Sequence, residues 1–267
     1  MTTTAVPQQA GLARSTATVT RRALLRYVRT PQLIVLATIQ MALFFLIYRY
    51  MFGGAIHVSG IEHYVDYLVP GFVATGVLFI GIGTATATAD DLSDGFVDRL
   101  RSLPIPRSSV LAARVTADTA ILTFTTAVTV AIAYAVGFRL HGSALDGLAA
   151  FGLVVLFGFA FEWAFITMGL FAGNAQAAQG LGMIVFPFAL ISSAYVPVSS
   201  MPDWLQVFAS HQPLTYMVDA VRSLTLGPDA QAVLGHPTSY FVTRALLWTA
   251  GIVAVFLPLA VAKYRRG

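Results

Sequence analysis

Six long apolar runs, separated by shorter polar stretches, dominate the pattern along the chain. They lie near Leu33–Phe52, Tyr67–Thr88, Val110–Phe138, Leu145–Phe171, Gln179–Val198 and Tyr240–Ala262. A helix needs roughly 20 apolar residues to cross a bilayer, so each run predicts one span. The third and fourth are long enough to tilt. The polar stretches differ from one another. Residues 1–13 are small and polar and read as disordered. "RSTATVTRRALLRYVRTP" (Arg14–Pro31) sets arginines against Leu24, Leu25, Tyr27 and Val28, which predicts a basic amphipathic helix on the membrane surface. Ordinary positive flanking of the first span explains the same residues. Tyr195–Ala230 mixes apolar anchors with Pro197, Pro202, Pro213 and Pro228. It is too apolar for a free loop and too broken for a span. Short helices dipping into the membrane over about 197–227 fit it, backed by protein that satisfies their backbone.

Composition fixes the class. Of 267 residues, 57% are hydrophobic and 10% charged, against about 25% charged in soluble domains. The mean hydropathy is +0.75. The prediction is an all-α polytopic membrane protein with six transmembrane helices: a tail and helix over 1–32, one six-span domain over 33–262, and a short end over 263–267. The absence of cysteine excludes thiolate catalysis, disulfides and Cys-based metal sites. The first run, preceded by five arginines and followed by no small-residue cleavage site, reads as a retained span rather than a signal peptide.

Charge sets orientation. With the N-terminus in the cytoplasm, inner segments hold twelve basic residues: Arg14, Arg21, Arg22, Arg26, Arg29, Arg99, Arg101, Arg107, Arg114, Lys263, Arg265 and Arg266. Outer segments hold four: Arg49, Arg139, Arg222 and Arg244. The positive-inside bias predicts both termini in the cytoplasm, and an even number of spans agrees. The net charge of +4 reflects this bias and not nucleic-acid binding.

One inner stretch, "ADDLSDGFVDRLRSLPIPRS" (Ala89–Ser108), gathers charge between the second and third runs. As a helix over about 91–103, its Leu92, Phe96, Leu100 and Leu103 form one stripe at about 100° per residue. Asp90, Asp91 and Asp94 crowd its start, while Arg99 and Arg101 lie towards its end. That order suits the helix dipole, at roughly 0.3–1 kcal/mol per well-placed charge. Pro104 and Pro106 stop it, and Ser108 can cap the next helix. Asp90, Asp91, Asp94 and Asp98 balance Arg99, Arg101, Arg107 and Arg114, unlike a polybasic lipid-binding patch. A short, rigid helix of this kind suits docking to another protein; a plain membrane-surface helix is the alternative.

"DDLSDGFVDRLRSLPIPRSSVLAARVTAD" resembles the loop signature of type-2 ABC exporter permeases of the daunorubicin-resistance, DrrB-like branch. "RYVRTPQLIV" is similar to that family's entry into the first span, and "YVPVSSMPDWLQVFASHQPLTYMVDAVRSLTLG" to its outer segment before the last. The resemblance covers nearly the whole chain. It implies that Asp91, Leu92, Asp94, Phe96, Asp98, Arg99, Leu100 and Arg101 belong to a cytoplasmic coupling helix seated in a groove of a separate ABC ATP-binding subunit. It implies two such subunits, each using ATP and Mg, and a second permease subunit, identical or different. The setting is a bacterial plasma membrane, with lipids around it. The cargo would be a small amphipathic drug, lipid or polyketide, or in other branches a polysaccharide or lipid-linked glycan. A P-loop needs G-x-x-x-x-G-K-[ST]. The single lysine, Lys263, precedes Tyr264, so ATP-driven work falls to a partner chain and no cofactor is expected on this one.

Inside the predicted spans, Asp118 lies four residues after Arg114 and can pair with it on one helix face. Glu162, in "FGFAFEWAFITMG", has no sequence-local partner. It either meets a polar or cationic substrate group or, protonated, hydrogen-bonds a neighbouring span. Gly169 and Gly173 stand at GxxxG spacing, which permits close helix approach. Asn174, Gln176 and Gln179 form a short inner polar turn. Glu62, His63 and Asp66 have spacings that could hold a metal, but one histidine among interfacial acids reads as an ordinary polar loop, and no metal is expected. No G-x-S-x-G or H-E-x-x-H supports a membrane hydrolase. A proton-coupled transporter using Glu162 and Asp118 is a further alternative, against which stand the docking helix and the lack of an internal repeat.

Overall fold

Most of the long apolar runs form long helices, including two with an interior proline, Pro70 and Pro258. The computed structural model describes residues 31–54, 60, 61, 63–93 and 107–266, and among these all regular structure is helical. Helix α1 spans Pro31–Phe52, α2 Tyr64–Ser93, α3 Arg107–Ala135, α4 Ala144–Ala172 and α10 Thr238–Arg266. Between α4 and α10 lie the shorter α5 (Ala175–Gly182), α6 (Val185–Leu190), α7 (Asp203–His211), α8 (Pro213–Leu226) and α9 (Ala230–Leu234). Four helices among the described residues are long and apolar enough to cross a membrane: α2, α3 from Leu111, α4, and α10 as far as Tyr264.

Local chemistry sets several boundaries. A capping box starts α4: Asp146 N donates to Ser143 Oγ at 3.2 Å, and Ser143 N donates to Asp146 Oδ2 at 2.9 Å. Gly173, at φ 79°, ends α4 in the left-handed region that favours glycine. The GxxxG pair therefore divides. Gly173 is a helix cap, and Gly169 alone makes a close approach, its Cα lying against the Ala85 carbonyl of α2.

The fifth apolar run is not one continuous helix. It divides at Met183–Ile184 into α5 and α6, of 8 and 6 residues. The break falls four residues before Pro187, whose ring disfavours a regular helical carbonyl at Met183, although Pro70 and Pro258 sit inside α2 and α10 without dividing them. The segment expected to hold short helices over 197–227 does so. Single 3-10 turns at Val198–Ser200 and Gly227–Asp229 flank α7 and α8. Helix α8 is buried along most of its length, whereas α7 exposes Trp204, Val207 and Phe208.

Helices α2 and α4 run in the same direction and α3 runs against them. At one end Asp91 of α2 meets Arg114 of α3; at the other, Arg139 N beyond α3 donates to Asp66 Oδ1 of α2 at 3.0 Å. These are called the loop end and the far end. The main core joins Leu68, Phe72 and Val77 of α2 to Phe157 and Phe165 of α4 and to Met217 and Val218 of α8. A second cluster at the loop end joins Leu111 and Val115 of α3, Trp163, Ile166 and Leu170 of α4, and Ala260 and Tyr264 of α10, with Leu92 of α2 against it.

The tightest approach is at Gly71 of α2, where an added Cβ would overlap the Ala194 carbonyl. Backbone cannot swing aside as a side-chain tip can. Gly71→Val is expected to cost about 3 kcal/mol, the upper range for overpacking. Gly83→Val, in the same helix with nothing nearby, is the control. Thermal unfolding of both purified variants checks this, and equal losses at the two positions would contradict the assigned contact.

Candidate functional site

Helix α2 carries a polar cluster near each end, and its 30 residues span about 45 Å between its termini. At the loop end, Arg114 of α3 holds two carboxylates. Its Nε donates to Asp118 Oδ2 at 2.9 Å, and its Nη1 donates to Asp91 Oδ2 of α2 at 2.5 Å. The expected i,i+4 pair is present, and Asp91 joins it from the next helix. Asp91 thus lies in the last turn of α2, where it ties that helix to α3. Leu92 beside it packs on the loop-end apolar cluster. Both residues continue the long helix instead of beginning a new one.

Glu162 of α4 completes this cluster. It is 1% exposed, and Asp118, Arg114 and Thr84 of α2 are near enough to act on its charge. Neither of its oxygens has a hydrogen-bond partner among the described residues. Asp94, Phe96, Asp98, Arg99, Leu100 and Arg101 lie outside the described residues, as do residues 1–30 and Glu62. Asn174 caps α5 by accepting from Ala177 N at 2.8 Å, while Gln176 and Gln179 are exposed. Among the described residues no group of three metal-ligating side chains comes together.

The far-end cluster is built around Arg222 of α8, counted above as a loop charge but only 1% exposed. Its Nη1 donates to Asp219 Oδ1 at 2.7 Å and its Nη2 to the carbonyls of Ser193 and Tyr67 at 2.8 and 3.0 Å. The guanidinium also lies 3.6 Å from the centre of the Tyr67 ring. Ser193 Oγ donates to Asp219 Oδ1 at 2.8 Å, so the acid is satisfied from two sides. Three more bonds extend this seam between α2 and the turn before α7. Tyr67 Oη donates to the Ser193 carbonyl at 3.1 Å and Tyr64 Oη to the Tyr195 carbonyl at 2.9 Å, while the Thr75 and Tyr195 hydroxyls pair at 2.8 Å. Asp219 and Arg222 at i,i+3, followed by Ser223 and Thr225, were the available signal of a buried polar face.

Both clusters and the helix joining them fall within the part of the chain, residues 14–226, that matches the model of the ABC-2 type transporter family. The chain belongs to the ABC-2 type transporter family. Helix α10 lies beyond the matched part of this permease. The permease is 29% identical over 262 residues to the "Daunorubicin resistance ABC transporter permease protein DrrB1" of Streptomyces coeruleorubidus, covering 97% of this chain and 89% of that one. It is 28% identical over 253 residues to the "Probable doxorubicin resistance ABC transporter permease protein DrrC" of Mycobacterium tuberculosis, covering 92% and 87%. Proteins of this family are multi-pass transmembrane subunits and not the catalytic ATPase.

Proposed function

We propose that this permease is the transmembrane subunit of an ATP-driven exporter that moves an amphipathic drug, lipid or polyketide-like molecule out of the cell. The carrying observation is the family match together with relatives whose names tie them to daunorubicin and doxorubicin resistance. The lone Lys263, outside any P-loop context, supports a separate ATP-binding subunit. The complex holds two such subunits and a second permease, in a bacterial plasma membrane. Six spans with both termini in the cytoplasm complete this reading, and the excess of basic residues at the loop end and the termini supports an inner position for them. Residues 94–106 then face the cytoplasm as the coupling element.

The geometry supports a route for the motion. The thirteen residues between α2 and α3 have their feet clamped together by Asp91, Arg114 and Asp118. A push on this segment moves both helices, and through the apolar cluster also α4 and α10. Helix α2 carries the displacement along its length to the seam around Arg222, where α8 and the Ser193–Tyr195 turn are held. Rigid-body rocking of this kind is the general basis of alternating access. No covalent step takes place on the permease. To test the division of labour, the purified permease and its complex with the ATP-binding subunit are assayed for ATP hydrolysis. The complex is expected to hydrolyse ATP and the permease alone to show none; hydrolysis by the isolated chain would overturn the reading.

A further inference from the structure

Two arginines at the far end stand beside an apolar slot that lies outside the polar seam. Past the end of α3 the chain turns through Val136–Arg139, with Gly137 at φ 109°. Arg139 is exposed, yet its guanidinium is fixed: Nη1 donates to the Phe138 and Tyr134 carbonyls at 2.8 and 3.2 Å. Its Nε and Nη2 have no partner among the described residues. Arg49, in the last turn of α1, packs on the same turn. A Cβ on Gly137 would lie 3.1 Å from its Nη1 and 3.5 Å from its Nη2. That Nη1 is buried and has no hydrogen-bond partner among the described residues.

No carboxylate among the described residues pairs with either guanidinium. Asp66 accepts from the Arg139 backbone N and lies 3.9 Å from His141 Nε2, and Asp146 closes the capping box of α4. Buried donors normally find an acceptor, so the turn holds arginine donors that these residues leave unused.

The same turn walls a slot between α2, α3, α4 and α8. Val73 of α2, Val154 of α4 and Val221 of α8 form its buried part. Tyr134, 40% exposed, and the half-buried Leu140 line it beside the two arginines. It runs roughly 12 Å along α3, from Thr126 to Tyr134. Its volume is about 60 Å³, well below the roughly 300–1,000 Å³ of pockets for drug-sized ligands. A long, narrow, apolar slot suits one hydrocarbon chain better than a ring system.

An apolar chain next to unpaired guanidinium groups defines an anionic amphiphile. We propose that this is a binding site for an anionic phospholipid, with one acyl chain in the slot and the phosphate on Arg139 and Arg49. Arginine suits phosphate because its planar fork donates two parallel bonds. Holding Arg139 in place beforehand lowers the ordering cost of binding. The site rests on neither the motor nor the cargo, and the sign of its charge disfavours a cationic amphiphile.

The test photolabels the purified permease in detergent with phosphatidylglycerol carrying a diazirine in one acyl chain, and maps the labelled residues by mass spectrometry. Labels are expected on α3 between Thr126 and Tyr134 and on α4 near Val154. Unlabelled phosphatidylglycerol should compete them away, and phosphatidylcholine at the same concentration should not. The double variant Arg49→Gln, Arg139→Gln is expected to lower labelling there about tenfold, equivalent to about 1.4 kcal/mol. Labels spread evenly over exposed faces such as Leu43 and Phe44 of α1, or equal competition by phosphatidylcholine, would overturn the proposal. Competition by glycerol phosphate alone would also overturn it, since the site would then take a soluble phosphate. Unchanged labelling in a folded double variant would remove the arginines from the site and overturn it too. Should the double variant not fold, the competition on the wild type decides.

Discussion

Arg222→Met is expected to destabilise the permease by about 3–5 kcal/mol, the range for removing one partner of a buried ion pair. Methionine fills much of the same space, so the loss is one of bonding. Asp219 would keep a single donor, Ser193 Oγ, and the carbonyls of Tyr67 and Ser193 would lose the guanidinium. The stacking on Tyr67 would go as well. Lysine would not serve, since it is a point charge without the planar fork that reaches three oxygens at once. A paired variant, Arg222→Met with Asp219→Asn, separates the causes. It removes the stranded charge and is expected to recover part of the loss, but not the share owed to the carbonyls. Unfolding in mixed micelles, followed by the fluorescence of Trp163, Trp204 and Trp248, measures both. A loss below about 1 kcal/mol for the single variant, the net value of an ordinary hydrogen bond, would mean that the seam is not held by this residue.

The second large effect is expected in the segment between α2 and α3, the proposed coupling element. Phe96→Asp or Leu100→Asp should release the ATP-binding subunit while the spans stay inserted. Full burial of such a side chain is worth about 1.5–3 kcal/mol, and a carboxylate in the same groove adds a desolvation penalty. Since 1.4 kcal/mol is tenfold in affinity, either change should weaken the complex by about 100-fold or more. Co-purification from detergent, with the gel-filtration profile of the permease as the control for insertion, checks it. Unchanged recovery of the ATP-binding subunit would remove the docking role from this segment and leave a plain surface helix.

Apolar periodicity made most of the helical frame legible, and for physical reasons. Long apolar runs must satisfy their backbone within the helix, so Tyr67–Thr88, despite Pro70, and Leu145–Phe171 grew into α2 and α4. Prolines marked the short helices of the segment before α10. The break in the fifth run was not legible, because Pro187 stands in that run much as Pro70 and Pro258 stand in runs that form unbroken helices. The Arg114–Asp118 pair was legible because four residues make one helical turn. Its neighbour Glu162 was not, because tertiary packing brings it there. One clue was available: Asp118 lies eleven residues from the start of α3 and Glu162 ten from the end of α4, so both sit at about 15 Å depth. Arg222 was misread most, because a rule that counts arginines by loop takes every arginine as solvated. The pairing with Asp219 and two backbone carbonyls lets this one be buried.

The central claim is that a separate ATP-binding subunit drives cargo through this chain. Its most direct test is transport into inside-out proteoliposomes of permease with and without that subunit, using daunorubicin as the probe. ATP-dependent uptake is expected only when both are present, with its loss in Leu100→Asp. Uptake of equal rate without the ATP-binding subunit would contradict the account.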